Sequence, residues 1–230
     1  LEPGYTGYPN ALRAPDSYHL FTGTDGSKAK ATLAATDKIT ATTLQALTGM
    51  AAKMLGGVKD GKPVKMQKTR RGNKDLWVFV TMDEGVQDLR KDTGTSGWFE
   101  AQKALISAIG KDAEVFQGGA GYIHGTIVDC TDTLPKFADY GASGNVKAMR
   151  SLFCGANGLA VAHGAKGSDS GLALDITEDT NDRGHEAVID FTLTMGVDKT
   201  TYTPLSGNNT LDFAIVAVDT AYTVAPGQTM

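Results

Sequence analysis

Serine, histidine and carboxylate side chains are the residue types in this sequence that could support hydrolysis. Ser168, Asp169, Ser170 and Gly171 stand in the order found around the nucleophile of serine proteases. A catalytic triad also needs a histidine that a carboxylate holds and aims at the serine. The nearest candidate, His163, lies only seven residues before Ser170 at the end of a predicted helix. We therefore predict no catalytic residue, and a hydrolase that uses Ser170 stays as an alternative.

Metal ligands are present, but their spacing does not fit a known type of site. The acidic segment 175–186 carries oxygen ligands of the kind that calcium prefers. Counted from Asp179, however, the fifth position of a calcium loop is Arg183, a cation. The histidines are scattered and form no helical pair; they are His19, His124, His163 and His185. The sequence predicts no metal site and an acidic loop before a strand, with a weak cation site as the alternative.

Glycines and cysteines give no cofactor site either. The run Gly118, Gly119, Ala120, Gly121 precedes a predicted strand, whereas phosphate-binding loops follow a strand and open a helix. Cys130 and Cys154 have no partners at zinc spacing, so we expect free, buried thiols in a reducing compartment. No cofactor is predicted.

Composition and charge exclude further classes of function. The 230 residues include 22 Lys or Arg against 26 Asp or Glu, a net charge of −4, which does not favour binding nucleic acid through bulk charge. The one dense cationic run, 62–74, is interpreted as a solvated loop or hairpin tip. No stretch is long and apolar enough to cross a membrane. A chain of this size can bury a core in one domain or two interleaved lobes.

The periodicity of apolar residues predicts an α+β fold. Helical spacing indicates a helix that begins near Asp37, a short acidic helix or turn over 83–92 and a helix over 98–109. Strand patterns cover the segments 76–80, 122–128, 189–198 and 211–218. Residues 1–30 are rich in proline, glycine and tyrosine and are typical of an extended arm or strap.

A third helix is predicted over 145–163, because Val146, Met149, Leu152 and Phe153 follow a helical spacing. Gly155 and Gly158 would lie inside it, and each glycine would cost about 1 kcal/mol relative to alanine. The usual compensation is a second backbone packed closely against the glycine. We therefore expect Gly155 and Gly158 to be structural close-packing positions.

Several segments, in the same order along the chain, resemble the major capsid proteins of N4-like tailed phages. The segments are 63–64 (PV), 76–82 (LWVFVTM), 86–90 (VQDLR), 115–122 (VFQGGAGY), 150–160 (RSLFCGANGLA), 178–179 (ED), 195–199 (MGVDK) and 213–219 (FAIVAVD). The sequence departs from the family pattern at Asn157 and Asp198, where the family has glutamine and lysine. The family's N-terminal arm, extended loop and spine helix have no counterpart here, so the arm region is expected to be incomplete.

The resemblance implies the Hong Kong 97-type capsid fold, with an axial and a peripheral lobe, and no enzymatic activity. It implies homo-hexamers and homo-pentamers that tile an icosahedral shell around double-stranded DNA, which the wall contacts only non-specifically. A cement or decoration protein and a portal are possible partners. The expected location is the virion, with assembly in the host cytoplasm.

The domain prediction divides the chain into an extended arm, 1–35, and a shell core with two interleaved lobes, 36–230. The alternative function from another class is a phage decoration or tail-type binding module, in which the glycine-rich turns would be ligand loops. A shell protein would instead present surfaces that copies of the chain bury against each other.

Overall fold

The computed structural model describes residues 14–53, 58–59, 62–63, 66–71, 74–94, 96–109, 121–163, 174–181, 186–193, 195–203 and 210–224. The chain divides into two compact units, one formed by residues 1–158 with 201–230 and the other by residues 159–200. Both helices and strands contribute, so the predicted α+β class is confirmed.

Three α-helices and one short 3-10 helix, Lys30–Thr32, are described, all in the larger unit. The α-helices are α1 (Ala41–Lys53), α2 (Asp83–Arg90) and α3 (Trp98–Ile109). The predictions for α2 and α3 are confirmed, and α1 begins four residues after Asp37. The first turn of α1 is capped by a residue from outside the helix. The carboxylate of Asp92 accepts a hydrogen bond of 2.9 Å from the Ala41 N–H. A carboxylate at that end also interacts favourably with the helix dipole.

The described residues also form sixteen β-strands. In chain order they are β1 (Leu20–Thr22), β2 (Val58–Lys59), β3 (Lys62–Pro63), β4 (Thr69–Arg71), β5 (Lys74–Thr81), β6 (Gly121–Ile123), β7 (Thr126–Cys130), β8 (Lys136–Tyr140), β9 (Val146–Cys154), β10 (Leu159–His163), β11 (Leu174–Asn181), β12 (Glu186–Leu193), β13 (Met195–Lys199), β14 (Thr201–Tyr202), β15 (Leu211–Asp212) and β16 (Ile215–Ala221).

The main sheet has eight strands and lies within the larger unit. Its order is β1-β16-β9-β5-β7-β6, and β4 and β8 add to β5 and β9. The β1–β16 and β5–β7 pairs are parallel and the other pairs are antiparallel. Every residue of β16 is buried, which confirms the predicted central strand for residues 215–218, whereas residues 211–212 of the predicted segment form β15, which pairs with β14.

Apolar side chains of the helices and the sheet form the main core, and Leu33, Tyr140, Ala148 and Ala221 form a second, smaller cluster. The helices contribute Leu44, Leu47 and Leu89, and the sheet contributes Phe79 and Phe153; all five are fully buried. Because the apolar positions of α1 recur at three and four residues, they line one face of the helix. The helical periodicity of the sequence therefore identified this face correctly.

The predicted third helix over 145–163 is wrong. Residues 146–154 form strand β9, which lies between β16 and β5 in the sheet, and residues 159–163 form strand β10. A strand in the middle of a sheet carries apolar residues on both faces, so its apolar positions can match a helical spacing by chance. Asn157 and Gly158 form the turn between the two strands, and Asn157 adopts a left-handed conformation with φ of 63°. An Asn-Gly pair is itself a strong turn signal.

The described part of the predicted arm packs on the sheet. Strand β1 pairs in parallel with β16, and Phe21 is fully buried. Asp16 and Asp212 exchange hydrogen bonds, since each backbone N–H donates to the other's carboxylate, at 3.1 and 2.6 Å. The buried His19 lies 2.9 Å from the Asp16 carboxylate through Nδ1. Residues 14–22 therefore belong to the sheet and its hydrogen-bonded entry rather than to a separate strap, and residues 1–13 lie outside the described residues.

A buried ionic cluster joins three strands of the sheet. Arg150 on β9 donates two hydrogen bonds of 2.7 Å to the carboxylate of Asp219, its cross-strand partner on β16. The Tyr140 hydroxyl at the end of β8 donates to the same carboxylate at 2.6 Å. Burial, the hydrogen bond and the charge of Asp219 raise the pKa of Tyr140 well above its usual value. Three charge-assisted hydrogen bonds thus satisfy one carboxylate in the core.

We expect Asp219→Ala to lower the free energy of unfolding by about 3 kcal/mol, because it leaves the Arg150 guanidinium half-buried without its partner. Tyr140→Phe removes only one of the three hydrogen bonds and should cost about 1.5 kcal/mol. Urea denaturation followed by tryptophan fluorescence measures both variants. A loss below about 1 kcal/mol for Asp219→Ala would contradict the role of this cluster.

Candidate contact surfaces

Gly155 and Gly158 lie in the turn between β9 and β10, where neighbouring backbone is very close. A Cβ built on Gly155 would lie 2.5 Å from the carbonyl oxygen of Gln67, and one built on Gly158 would lie 2.8 Å from that of Ala214. The Gly155 N–H also donates to the Ala214 carbonyl at 2.9 Å. These distances support a close-packing role for both glycines, which remains a prediction, in a turn rather than in a helix.

The other candidate residues are not brought together. Ser168, Ser170 and the glycine run before Gly121 lie outside the described residues. His19 is buried against Asp16, while His124 occupies a turn with φ of 49°. Most of the acidic segment 175–186 belongs to strands β11 and β12 rather than to a loop. Among the described residues, no group of three His, Cys, Asp or Glu side chains could hold a metal ion.

The cysteines are free, but Cys130 is exposed, so the prediction of two buried thiols is wrong for this residue. The Cys130 thiol lies 3.0 Å from a carboxylate oxygen of Asp83. Partial desolvation, this hydrogen bond and nearby carboxylates raise the pKa of Cys130 to about 12. Burial raises the pKa of Cys154 to about 11. Neither thiol is activated, because nucleophilic attack and metal binding both require the thiolate form of cysteine.

The cationic run 62–74 forms short strands and part of β5. Lys68, Arg70 and Lys74 are exposed. The Lys68 ammonium lies 4.6 Å from the centre of the Trp77 ring, and the Lys74 ammonium lies 5.8 Å from that of Tyr122. Strand register places Trp77 and Tyr122 on opposite faces of the sheet, so these two lysines do not form one patch. The sequence predicted the solvation of this run but not the association of its lysines with aromatic rings, which needed the pairing of β5, β6 and β7.

The smaller unit, 159–200, exposes apolar side chains. It contains two antiparallel ribbons: the short ribbon, β10 with β13, and the long ribbon, β11 with β12. Nine large hydrophobic side chains are exposed among the described residues, and six of them belong to this unit: Leu159, Val161, Ile176, Val188, Ile189 and Val197. Exposed apolar clusters on a soluble protein mark contact surfaces more often than chance. These two ribbons are therefore the strongest candidate for a surface that a partner buries.

None of the described helices combines the length and the apolar character needed to cross a lipid bilayer.

Comparison with known proteins points to viral shells. The model of a family described as phage capsid protein matches residues 4–224. The capsid of Ralstonia phage GP4 has a TM-score of 0.69 and 30% identity, and the match covers all of this chain and 59% of that chain. The capsid asymmetric unit of cyanophage Pam1 has a TM-score of 0.62 and 14% identity, with coverage of 89% and 54%. The chain thus spans somewhat more than half of each capsid chain. No curated protein matches it.

Gly155→Ala should destabilise the larger unit by about 2 kcal/mol, because the new methyl group meets backbone that is tied by hydrogen bonds. Gly49→Ala is the matched control, since nothing lies within 4 Å of a Cβ built at that helical position. It should be neutral or stabilising by up to about 1 kcal/mol. Urea denaturation of both variants gives the comparison, and equal stabilities would exclude close packing at Gly155.

Cys130 should react with iodoacetamide at pH 8 about tenfold or more slowly than free cysteine, since a raised pKa leaves little thiolate. Asp83→Asn removes the neighbouring negative charge, so the pKa should fall and the alkylation rate should rise several-fold. A Cys154→Ser background isolates the Cys130 signal in mass spectrometry. If Asp83→Asn left the rate unchanged, the carboxylate would not be what protects the thiol.

Proposed function

The chain belongs to the phage capsid protein family, and we propose that it is a major capsid protein that builds an icosahedral shell from hexamers and pentamers of itself. The observation that carries this proposal is the family match over nearly the whole chain, together with a fold like that of the GP4 capsid. Members of this family are structural proteins, so the chain is a structural protein and not an enzyme. Its fold matches phage capsid folds and is consistent with the Hong Kong 97-like type.

The physical chemistry of the described surfaces suits a subunit that works through contacts between copies. Exposed apolar residues on the ribbons are costly in a solitary protein and become favourable when a neighbour covers them. Contacts that symmetry repeats around a ring need only modest individual strength, because each subunit makes several of them. Assembly of subunits therefore explains why the ribbons expose apolar side chains, which binding of a substrate or cofactor would not explain.

The weakly acidic charge supports the proposal that the shell encloses double-stranded DNA and touches it only non-specifically. A wall with a strongly basic inner face would bind packaged phosphates and release counterions. The net charge of −4 over 230 residues instead leaves the chain with little general affinity for phosphate.

Several finer features belong to the same proposal. The ordered segments that end in 213–219 support an N4-like tailed phage as the source. An arm over 1–35, whose residues 20–22 pair with β16, would precede a shell core over 36–230 with axial and peripheral lobes. A portal and a cement or decoration protein would be partners of the finished virion, and assembly would take place in the host cytoplasm.

Purified phage particles test this proposal through stoichiometry and shape. We expect peptides of this chain to dominate the protein mass of the particles, and electron microscopy to show closed icosahedral shells labelled by antibodies against it. A decoration or tail-type protein would instead be a minor band located outside the shell or at the tail. A chain that is absent from the shell and monomeric in isolation would overturn the proposal.

A further inference from the structure

The segment that precedes β1 is held on the sheet by one carboxylate. Asp16 accepts a hydrogen bond of 2.6 Å from the backbone N–H of Asp212 on β15. The same carboxylate accepts the backbone N–H groups of Tyr18 and His19 at 2.7 and 2.9 Å, and the Nδ1 atom of His19 lies 2.9 Å from both of its oxygens. In return, the Asp212 carboxylate accepts the Asp16 N–H at 3.1 Å. We call Asp16, His19 and Asp212 the N-terminal clasp.

The ring of His19 shows which protonation state the clasp needs. The side chain is fully buried, and among the described residues its Nε2 atom has no hydrogen-bond partner. A neutral imidazole carries one hydrogen, and on Nε2 that hydrogen would be a buried donor without an acceptor. The hydrogen is therefore assigned to Nδ1, which donates it to Asp16. This arrangement requires Asp16 as an ionised carboxylate, because the ionised form only accepts hydrogen bonds.

The charge of Asp16 makes the clasp sensitive to acid. Burial would raise the pKa of Asp16, but hydrogen bonds from the Asp212 N–H and from His19 lower it below its ordinary value. The clasp therefore stabilises the fold fully above the pKa of an aspartate in water, about 4. That stabilisation is lost as the pH falls through the lower pKa of Asp16 in the folded chain.

The ionisable groups on the neighbouring strands are Tyr202 on β14, Asp212 on β15 and Asp219 on β16. Burial and the charge of Asp16 raise the pKa of Tyr202, so this hydroxyl stays neutral in acid. The Asp219 carboxylate already accepts the hydrogen bonds of the ionic cluster described above. None of these three groups is a cation, so they do not help to keep Asp16 ionised.

Few other contacts hold this segment. Tyr18 and Leu20 are 51% and 38% exposed, and Phe21 is the one apolar side chain of residues 14–22 that is buried. Strand β1 lies at the edge of the sheet and pairs only with β16, over three residues. Strand β16 also pairs with β9 over seven residues, so it keeps a neighbour when β1 leaves. Edge elements with few buried apolar contacts are the parts of a fold that open locally.

We propose that the N-terminal clasp is an acid-sensitive switch, in which protonation of Asp16 releases residues 14–22 from the sheet while the rest of the larger unit stays folded. His19 carries the release into β1, because its carbonyl accepts the Ala217 N–H of β16 at 2.9 Å. Once Asp16 no longer accepts as a carboxylate, water is a better environment for the imidazole than the buried position. The inference goes beyond the proposed capsid function and does not depend on it.

Hydrogen exchange followed by mass spectrometry on the full chain tests the switch. Protection is expressed relative to the intrinsic exchange rate at the same pH, so that the pH dependence of the chemical step cancels. At pH 7, peptides over 16–23 and over 146–154 should both be protected. At pH 3 we expect protection over 16–23 to fall by about tenfold or more, because charge-assisted hydrogen bonds are lost, while β9 keeps its protection.

Asp16→Asn should remove most of this pH dependence. Asparagine has nearly the same shape but cannot ionise, so protection over 16–23 should be low already at pH 7 and change little in acid. Asp25→Asn is the matched control, since hydrogen bonds from Ser27 also lower the pKa of Asp25, but these bonds stay within the exposed loop after β1. The control should respond to acid like the wild type.

The results separate a local switch from general unfolding. If 16–23 and β9 lose protection together in the wild type, the segment opens only when the whole unit unfolds and the inference is wrong. It is equally wrong if Asp16→Asn keeps its protection at pH 7, or if Asp25→Asn abolishes the acid response. The wild-type pH series decides the first point without any variant, so it holds even if Asp16→Asn does not fold. Neither result bears on the capsid function, which the particle experiment tests separately.

Discussion

Asp219 places a carboxylate in a strand that is buried along its whole length, and the surrounding fold is arranged to satisfy it. Arg150 donates two hydrogen bonds from the neighbouring strand, and Tyr140 donates a third from the adjacent edge. An unpaired carboxylate at this depth would cost several kcal/mol, so these segments must dock together for the sheet to be stable. The carbonyl of the same residue accepts the Gly23 N–H, which ties the segment after β1 to the strand. One residue thus fixes the positions of β8, β9, β16 and the N-terminal segment.

The paired carboxylate of Asp219 contrasts with the surface that the chain leaves open. The larger unit buries its helices and sheet around a main apolar cluster, whereas the smaller unit has two ribbons with exposed apolar faces. A protein that works alone gains nothing from such faces, and they promote aggregation. A subunit of a shell can use them, since each face is covered when the next copy arrives. Membership of the phage capsid family and the exposed ribbons therefore support the same account from independent directions.

Charge is distributed unevenly between the two units. The acidic residues are concentrated in the smaller unit and the densest cationic run lies in the larger unit, although the whole chain is close to neutral. Like charges on the acidic ribbons disfavour pairing of the ribbons of two copies with each other. Partial desolvation and the Asp83 carboxylate keep the exposed Cys130 in the thiol form, which slows disulfide formation.

The sequence by itself determined the helices α1 to α3, strand β5 and the buried strand β16, because each has one dominant pattern of apolar residues with clear turn signals at its ends. Its ordered segments also indicated the capsid family, which the comparisons confirmed in its broader form. It could not distinguish a helix from a strand over 145–163, since the apolar residues at 146, 149, 152 and 153 fit a helical spacing, although burial alternates along β9 from Met149 to Cys154. The sequence contains a turn signal at Asn157 and Gly158. Only the pairing of β9 with β16 and β5 shows that this turn follows a strand and does not interrupt a helix. The partners of Asp219, the close approach at Gly155 and the shared faces of the ribbons depend on strand register. Only the tertiary structure decides register, because it joins residues that lie far apart along the chain.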